Sequence, residues 1–276
     1  MVPAKQRRVA VKSGEVRDWW LAHLFENVGR GAVRFLEHVA RFSEMVGSIL
    51  RTLPHPQEYF KQTPEQLVNV GNRSLPIVLL TATFSGMVTS VQTAYQITGF
   101  VPLYVVGSVV GESMVLELGP VITALVLAGR VGAYIAAELG TMRVTEQIDA
   151  LESLAINPIG FLVIPKVIAS VIMLPVLTVL ADVVGIAGGW LVSVYNMNLT
   201  TTEFFKGFRM FFVPWDLFYG LIKAVFFGLT ISLVSCYIGF CAHGGAEGVG
   251  KATTHAVVVS CLIILVLDYV LATILL

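Results

Sequence analysis

The sequence predicts an all-α integral membrane protein: an N-terminal amphipathic helix lying at the membrane interface, followed by five transmembrane helices. Two compositional facts carry that prediction. Of the 276 residues, 56% are hydrophobic and only 13% are charged, against about 25% charged in a soluble domain. The apolar residues also gather into long runs, broken by short segments that hold Gly, Pro or charges. Residues 1–62 read as a cytosolic and interfacial region, and residues 63–276 as the five-helix transmembrane domain.

In chain order, residues 1–15 are polar and basic, and no apolar run with a small-residue cleavage site follows, so no signal peptide is expected. From Val16 to Leu50 apolar residues recur at helical spacing (Trp20, Leu24, Val28, Phe35, Val39, Phe42, Val46), interrupted by Arg17, Arg30, Arg34 and Arg41. Trp and Phe on one side with Arg on the other suit a membrane surface better than a span. Pro54 and Pro56 break that helix. Thr63-Pro64-Glu65-Gln66 then reads as a helix start, with Thr63 as N-cap, Pro64 at the first position and Gln66 closing a capping box.

The first span is expected over residues 75–95, with Ser85, Thr89, Ser90 and Gln92 turning part of it toward protein or a cavity. Gly99-Phe100-Val101-Pro102 reads as a turn. Residues 103–116 are apolar but too short to cross, which suggests a re-entrant or interfacial helix. Residues 118–140 form the second span; as a helix they reach about 34 Å at roughly 1.5 Å per residue. The third span covers residues 161–195, with Pro165, Pro175 and a Gly185-xxx-Gly189 pair that invites close helix packing. Residues 196–217 are polar and aromatic, with Trp215 at an interface. The fourth span is expected over 218–240, a glycine-rich loop over 241–252, and the fifth span over 256–275.

Between the second and third spans the composition changes abruptly. Thr145-Glu146-Gln147-Ile148-Asp149-Ala150-Leu151-Glu152 predicts a short amphipathic helix inside the segment 143–156. Glu146, Asp149 and Glu152 share one side, Ile148, Leu151 and Ala155 another, and Asn157-Pro158 stops it. Most Lys and Arg precede residue 75, so the positive-inside rule puts the N-terminus and this acidic segment in the cytosol, and five spans leave the C-terminus outside.

Glu117, Arg130, Glu138, Asp182 and Asp268 lie in or near spans, where an ionisable side chain costs about 2.5–3.5 kcal/mol on insertion scales and faces the bundle interior or a partner. Arg130 and Asp182 are candidates for an interhelix pair or a transport role. Glu138 and Asp268 lie close enough to helix ends to snorkel. Arg130 and Glu138 are about 12 Å apart along the helix axis, too far to pair. The run Gly245 to Ala252 nearly spells a phosphate-binding loop, but Ala252 replaces the hydroxyl that would hold magnesium and a membrane helix precedes it instead of a strand. A tight cytosolic turn is the better reading. No catalytic set or metal-ligand pattern appears, and Cys236, Cys241 and Cys261 read as small buried side chains. The basic residues form no separate basic domain, which argues against nucleic acid.

The run ELGPVITALVLAGRVGAYIAAELGTMRVTEQIDAL, followed by NPIGFLVIPK, LPVLTVLADVVGIAGG and GAEGVGKATTHAVV, resembles the signature of the MlaE/YrbE permease family over roughly residue 64 to the end. Several members carry Arg where this chain has Leu116. The resemblance implies a homodimeric permease of an ABC transporter, located in the inner membrane. It would move phospholipid or a related lipid between that membrane and an MCE-domain protein and so support outer-membrane lipid homeostasis. ATP and magnesium would be held by a separate ATPase subunit, with no cofactor on this chain. Thr145, Glu146, Gln147, Asp149, Leu151 and Glu152 become candidates for ATPase coupling, and Met87, Gln92, Tyr95, Glu112 and Glu117 for lipid contact at a cavity between two chains. Two other classes remain at this point: an ion-coupled secondary transporter using Arg130, Glu138 and Asp182, and a non-transporting scaffold of a lipid-handling complex. The absence of visible internal repetition speaks against the first.

Overall fold

The computed structural model describes residues 13–56, 59–97 and 102–276, and side chains of the N-terminal helix from Gly29 onward in part. The basic N-terminal twelve residues and the turn expected at residues 99–101 lie outside the described residues, as do the Trp20, Leu24, Val28 and Phe35 side chains. Two compact units emerge, one ending at Ser48 and the other running from Ile49 to Leu276.

The first unit is the greater part of one 40-residue helix, α1 (Ser13–Thr52). Val33, Leu36 and Val39 stand exposed on it, as do Arg30 and Arg41. Thr52, Leu53 and Pro54 end it, as the prolines predict.

The second unit holds seven further helices among the described residues: α2 (Thr63–Gln96), α3 (Val105–Val144), α4 (Gln147–Ser153), α5 (Ile159–Met197), α6 (Thr201–Phe211), α7 (Pro214–Phe240) and α8 (Gly245–Leu275). Five of them, α2, α3, α5, α7 and α8, are long and apolar enough to cross a membrane. No strand occurs among the described residues. Helices α3, α5 and α7 form the middle of the bundle, with α2 laid on α5 and α8 laid on α3 and α7. The outer pair stays bare: only 11% of the apolar window of α8 is buried, against 50% for α7.

Glycines set the closest crossing. A Cβ on Gly86 of α2 would fall on the Gly185 carbonyl of α5, and one on Gly188 would meet the Thr83 carbonyl at 2.7 Å. Small residues let the two backbones touch, and the Ser90 and Ser193 hydroxyls then hydrogen-bond across the seam at 2.7 Å. The Gly185-xxx-Gly189 pair does what its spacing predicts.

Several sequence expectations are corrected. Residues 103–116 are no separate re-entrant helix: from Val105 the chain runs through a π-turn at Met114–Leu118 directly into the second span, making one 40-residue helix. At about 1.5 Å per residue, α3 is roughly 60 Å long and outreaches the hydrocarbon core. The π-turn has a cause in Pro120. Its missing N–H leaves the Leu116 carbonyl without its helical donor, and the Gly119 N–H reaches back to Met114 instead. Another π-turn, Ile159–Val163, precedes Pro165 in the same way and opens α5.

Thr63 is not an N-cap. Its hydroxyl donates to the Tyr59 carbonyl at 2.9 Å because the preceding turn already accepts the first helical amides, although Pro64 does occupy the first turn. The glycine-rich loop shrinks to residues 241–244, and Gly245 onward is helix, so the amides of residues 249–252 are spent within the helix and the extended loop that would wrap a phosphate is not formed. Finally, residues 200–213 hold an amphipathic helix, α6, that the sequence reading passed over. Thr200 caps it in a full capping box with Glu203, whose carboxyl is held below its ordinary value by hydrogen bonds from the Thr200 hydroxyl and amide.

Candidate functional site

The acidic segment between α3 and α5 is built as a rigid tab. Helix α4 has seven residues and is anchored by Ile148, which is 1% exposed, while Leu151 is half-buried and Ala155 lies past the helix end on the surface. Left-handed backbone brackets it on both sides: Glu146 has φ 59° before its first turn and Ala155 has φ 59° after its last. Asn157-Pro158 does not stop the helix, contrary to expectation. The Ile156 amide reaches the Leu151 carbonyl and the Ala155 amide the Glu152 carbonyl, a C-terminal cap complete before Asn157 is reached. The Asn157 side chain instead accepts from the Ile159 amide and donates to the Thr52 hydroxyl at 2.9 Å.

Asp149 is paired with Arg143 at 2.5 Å, both side chains being well exposed. Glu146, Gln147 and Glu152 are exposed, and the Gln147 amide donates to the Thr145 hydroxyl at 3.0 Å. The six sequence candidates on this segment therefore lie together at one end of the bundle.

Inside the bundle, charge is gathered into two centres. Toward the α4 end, Lys166 of α5 donates to Glu138 of α3 at 2.7 Å and is 2% exposed. Glu138 is thus paired and not snorkelling, and Lys166 lies in the helix interior. Toward the far end, Lys223 of α7 is fully buried between Glu117 of α3, at 2.7 Å, and Asp268 of α8, and it lies over the Tyr219 ring. Asp268 is therefore an internal partner and does not snorkel. Lys223 also donates to the Leu116 carbonyl at 3.2 Å, the group that Pro120 left free. Both lysines were missed as site residues, though a signal was available for Lys223: a base inside span four and an acid inside span five each need a buried partner.

Arg130 pairs with neither Glu138 nor Asp182. From a second π-turn of α3, Ala128–Gly132, it donates to the Ser74 hydroxyl at 2.5 Å and the Asn69 carbonyl at 3.3 Å. It lines a cavity of about 210 Å³ together with Asn69, Arg73, Val131 and Tyr134. Asp182 is buried against Gly119, and its Oδ1 makes no hydrogen bond.

Of the lipid-contact candidates, Glu117 belongs to the Lys223 cluster and Glu112 is half-buried just before the π-turn at Met114. Met87 is half-buried where α2 crosses Gly188, while Gln92 and Tyr95 are exposed near the end of α2, Tyr95 at 86%. Within one chain these five do not gather around a shared partner.

Residues 63–274, all five spans, match the family described as Permease MlaE. The chain belongs to the MlaE permease family. It is a transport permease and not an enzyme. A "Probable ABC transporter permease protein" of Rickettsia bellii is 41% identical over 251 residues, covering 91% of this chain and 97% of the relative. The "Intermembrane phospholipid transport system permease protein MlaE" of Haemophilus influenzae is 34% identical over 256 residues, covering 92% of this chain and 98% of the relative. The chloroplastic protein TRIGALACTOSYLDIACYLGLYCEROL 1 of Arabidopsis thaliana is 39% identical over 233 residues, covering 83% of this chain and 65% of the relative.

Proposed function

We propose that this MlaE-family permease moves phospholipid, or a related membrane lipid, between the inner membrane and an MCE-domain partner, in support of outer-membrane lipid homeostasis. It works as a homodimer driven by a separate ABC ATPase, which holds the ATP and magnesium. The N-terminus and α4 face the cytosol, the C-terminus faces the periplasm, and α1 rests on the membrane surface. The observation that carries this reading is α4: a short helix fixed at both ends, held by one buried isoleucine and showing an acidic face between two spans. Such a tab can take a push from a soluble subunit and pass it to α3 and α5 without bending. The phospholipid transport for which the Haemophilus relative is named supports the cargo, and the ABC permease role for which the Rickettsia relative is named supports the ATPase partnership. The bare apolar faces of α2 and α8 support association with lipid or a second copy.

The test is reconstitution. The permease, its ATPase and its MCE partner are placed in proteoliposomes containing fluorescent phospholipid, and transfer to the MCE protein is followed with and without ATP. ATP-dependent transfer that disappears when Glu152→Lys releases the ATPase is the expected result. Transfer driven by an ion gradient without ATP would replace this reading with a secondary transporter. A stable complex with no transfer under either condition would leave a scaffold.

A further inference from the structure

Helix α6 is short and amphipathic and is tied to two spans by short connections. Three residues separate its first residue, Thr201, from the end of α5 at Met197, and two separate Phe211 from Pro214 of α7. Its inner side is fastened to the first turns of α3. A Cβ on Gly107 would fall on the Phe204 carbonyl, one on Gly207 would fall on the Tyr104 carbonyl, and Phe204 is fully buried. The helix is therefore pinned at the end of the bundle opposite α4, and aromatic residues surround it there: Tyr195 on the last turns of α5 and Trp215 on the first turn of α7, 78% and 49% exposed. Such rings favour the headgroup level of a membrane.

The outward side of α6 has an unusual make-up for a surface helix. Thr201, Thr202, Phe205, Lys206, Arg209 and Met210 line a shallow hollow of about 680 Å³, and all six are exposed. Phe205 and Met210 supply apolar contact, and Lys206 and Arg209, three residues apart, supply two positive charges on the same side. Among the described residues neither cation forms an ion pair; Lys206 lies over the Tyr104 ring at 5.6 Å. The one acid of the helix, Glu203, is committed to Thr200 as a cap. The face is thus cationic and apolar at once, on a helix flanked by the aromatic rings that favour the headgroup level.

We infer that the outward face of α6 is a docking surface for anionic phospholipid of the surrounding leaflet, with Lys206 and Arg209 holding the phosphate and Phe205 and Met210 entering the acyl boundary. This rests on the five-span architecture and is independent of the cargo proposed above. The Thr201 hydroxyl accepts from the Trp190 indole at 3.3 Å and keeps its own proton for a phosphate oxygen, whereas the Thr202 hydroxyl is bonded to that of Thr200 at 3.1 Å. A cationic side chain near an anionic surface strengthens such association by about fivefold per residue at moderate salt, and the effect fades as salt screens it.

The full-length permease carrying a benzophenone side chain at position 202 is placed in bilayers of equimolar phosphatidylglycerol and phosphatidylcholine, and the crosslinked lipid is weighed by mass spectrometry. The same label at position 265, on the bare apolar face of α8, serves as the reference. Position 202 is expected to capture phosphatidylglycerol about fivefold or more over phosphatidylcholine, position 265 to show no preference, and 0.5 M salt to erase the difference. Lys206→Gln with Arg209→Gln should bring the preference at position 202 to near unity. Equal capture of the two lipids at position 202 in the unmodified background, a preference indifferent to salt, or one that survives the double substitution would each overturn the inference. The lipid ratio of the unsubstituted protein decides the matter even if the double variant fails to fold. Capture of a partner protein in place of lipid, when the MCE protein is included, would assign the face to protein instead.

Discussion

Lys166 Nζ and Glu138 Oε2 meet at 2.7 Å across the seam between α3 and α5, with the lysine 2% exposed and the carboxylate 30%. An ion pair placed so deeply is costly to break from one side, because the surviving charge keeps its burial and loses its partner. Lys166→Met leaves the more exposed member and should cost up to about 3 kcal/mol, less than a fully buried pair would. Glu138→Gln strands the buried ammonium and should cost more. The double variant should recover part of the loss. Unfolding in mixed detergent micelles measures all three, and additive single effects would show that the pair contributes no coupling.

The α2–α5 crossing leaves no room at Gly86. Gly86→Ala places a methyl on the Gly185 carbonyl and should destabilise the bundle by about 1–3 kcal/mol through overpacking. Gly129→Ala is the matched control. Nothing lies within 4 Å of its Cβ position, and in a helix alanine gains up to about 1 kcal/mol over glycine. Thermal unfolding that ranks Gly129→Ala below Gly86→Ala would contradict the packing described here.

Among the described residues Arg130 has two neutral partners and no acid, so its replacement removes hydrogen bonds without stranding a carboxylate. Arg130→Ala should cost about 1–2 kcal/mol, since Ser74 keeps a bond to the Val70 carbonyl at 2.5 Å while the Asn69 carbonyl loses its donor. Arg130→Lys should recover part of this, because a single guanidinium nitrogen makes both contacts. A loss from Arg130→Ala as large as that from Glu138→Gln would point to a charged partner for Arg130.

The span count, the close packing at Gly185-xxx-Gly189 and the acidic helix were legible because each follows from composition or fixed spacing, whereas the partner, Gly86 of α2, was not. Other features depended on backbone details that periodicity does not carry. The π-turn before Pro120 hid the continuity of α3, since Gly119-Pro120 reads locally as a helix start and the segment ahead of it looks too short to span. Glu138 and Asp268 looked free to snorkel because their partners lie on other spans, 28 and 45 residues away in sequence. Helix α6 was recoverable from its Thr200-x-x-Glu203 cap, which was passed over among polar neighbours.

Lys251 lies in the first turns of α8, 77% exposed and paired with Glu247 one turn away. An exposed i,i+4 pair is worth about 0.3–0.5 kcal/mol, so Lys251→Ala should change stability by no more than that. The purified permease alone should bind no ATP above background in an equilibrium filter assay. Saturable binding lost in Lys251→Ala would restore the phosphate-loop reading that the helical backbone at Gly245–Ala252 opposes.

The left-handed residues flanking α4 allow its rigidity to be tested directly. Ala155 adopts φ 59° at the position after the helix where glycine is ordinarily found, and a non-glycine residue there carries about 1 kcal/mol of strain. Ala155→Gly should relieve that strain, offset in part by the extra freedom glycine has in the unfolded chain, for a net gain of up to about 1 kcal/mol. Ala155→Val should lose about 1–2 kcal/mol, because a β-branched side chain fits this backbone worst. If α4 transmits force as a fixed tab, Ala155→Gly should leave ATPase stimulation by the permease intact, while Ala155→Val should weaken it by distorting the return into α5. Glu152→Lys should reduce ATPase co-purification severalfold without changing permease stability, since the side chain is exposed. Full ATPase binding and coupling in both Glu152→Lys and Ala155→Val would mean that the ATPase grips the permease elsewhere.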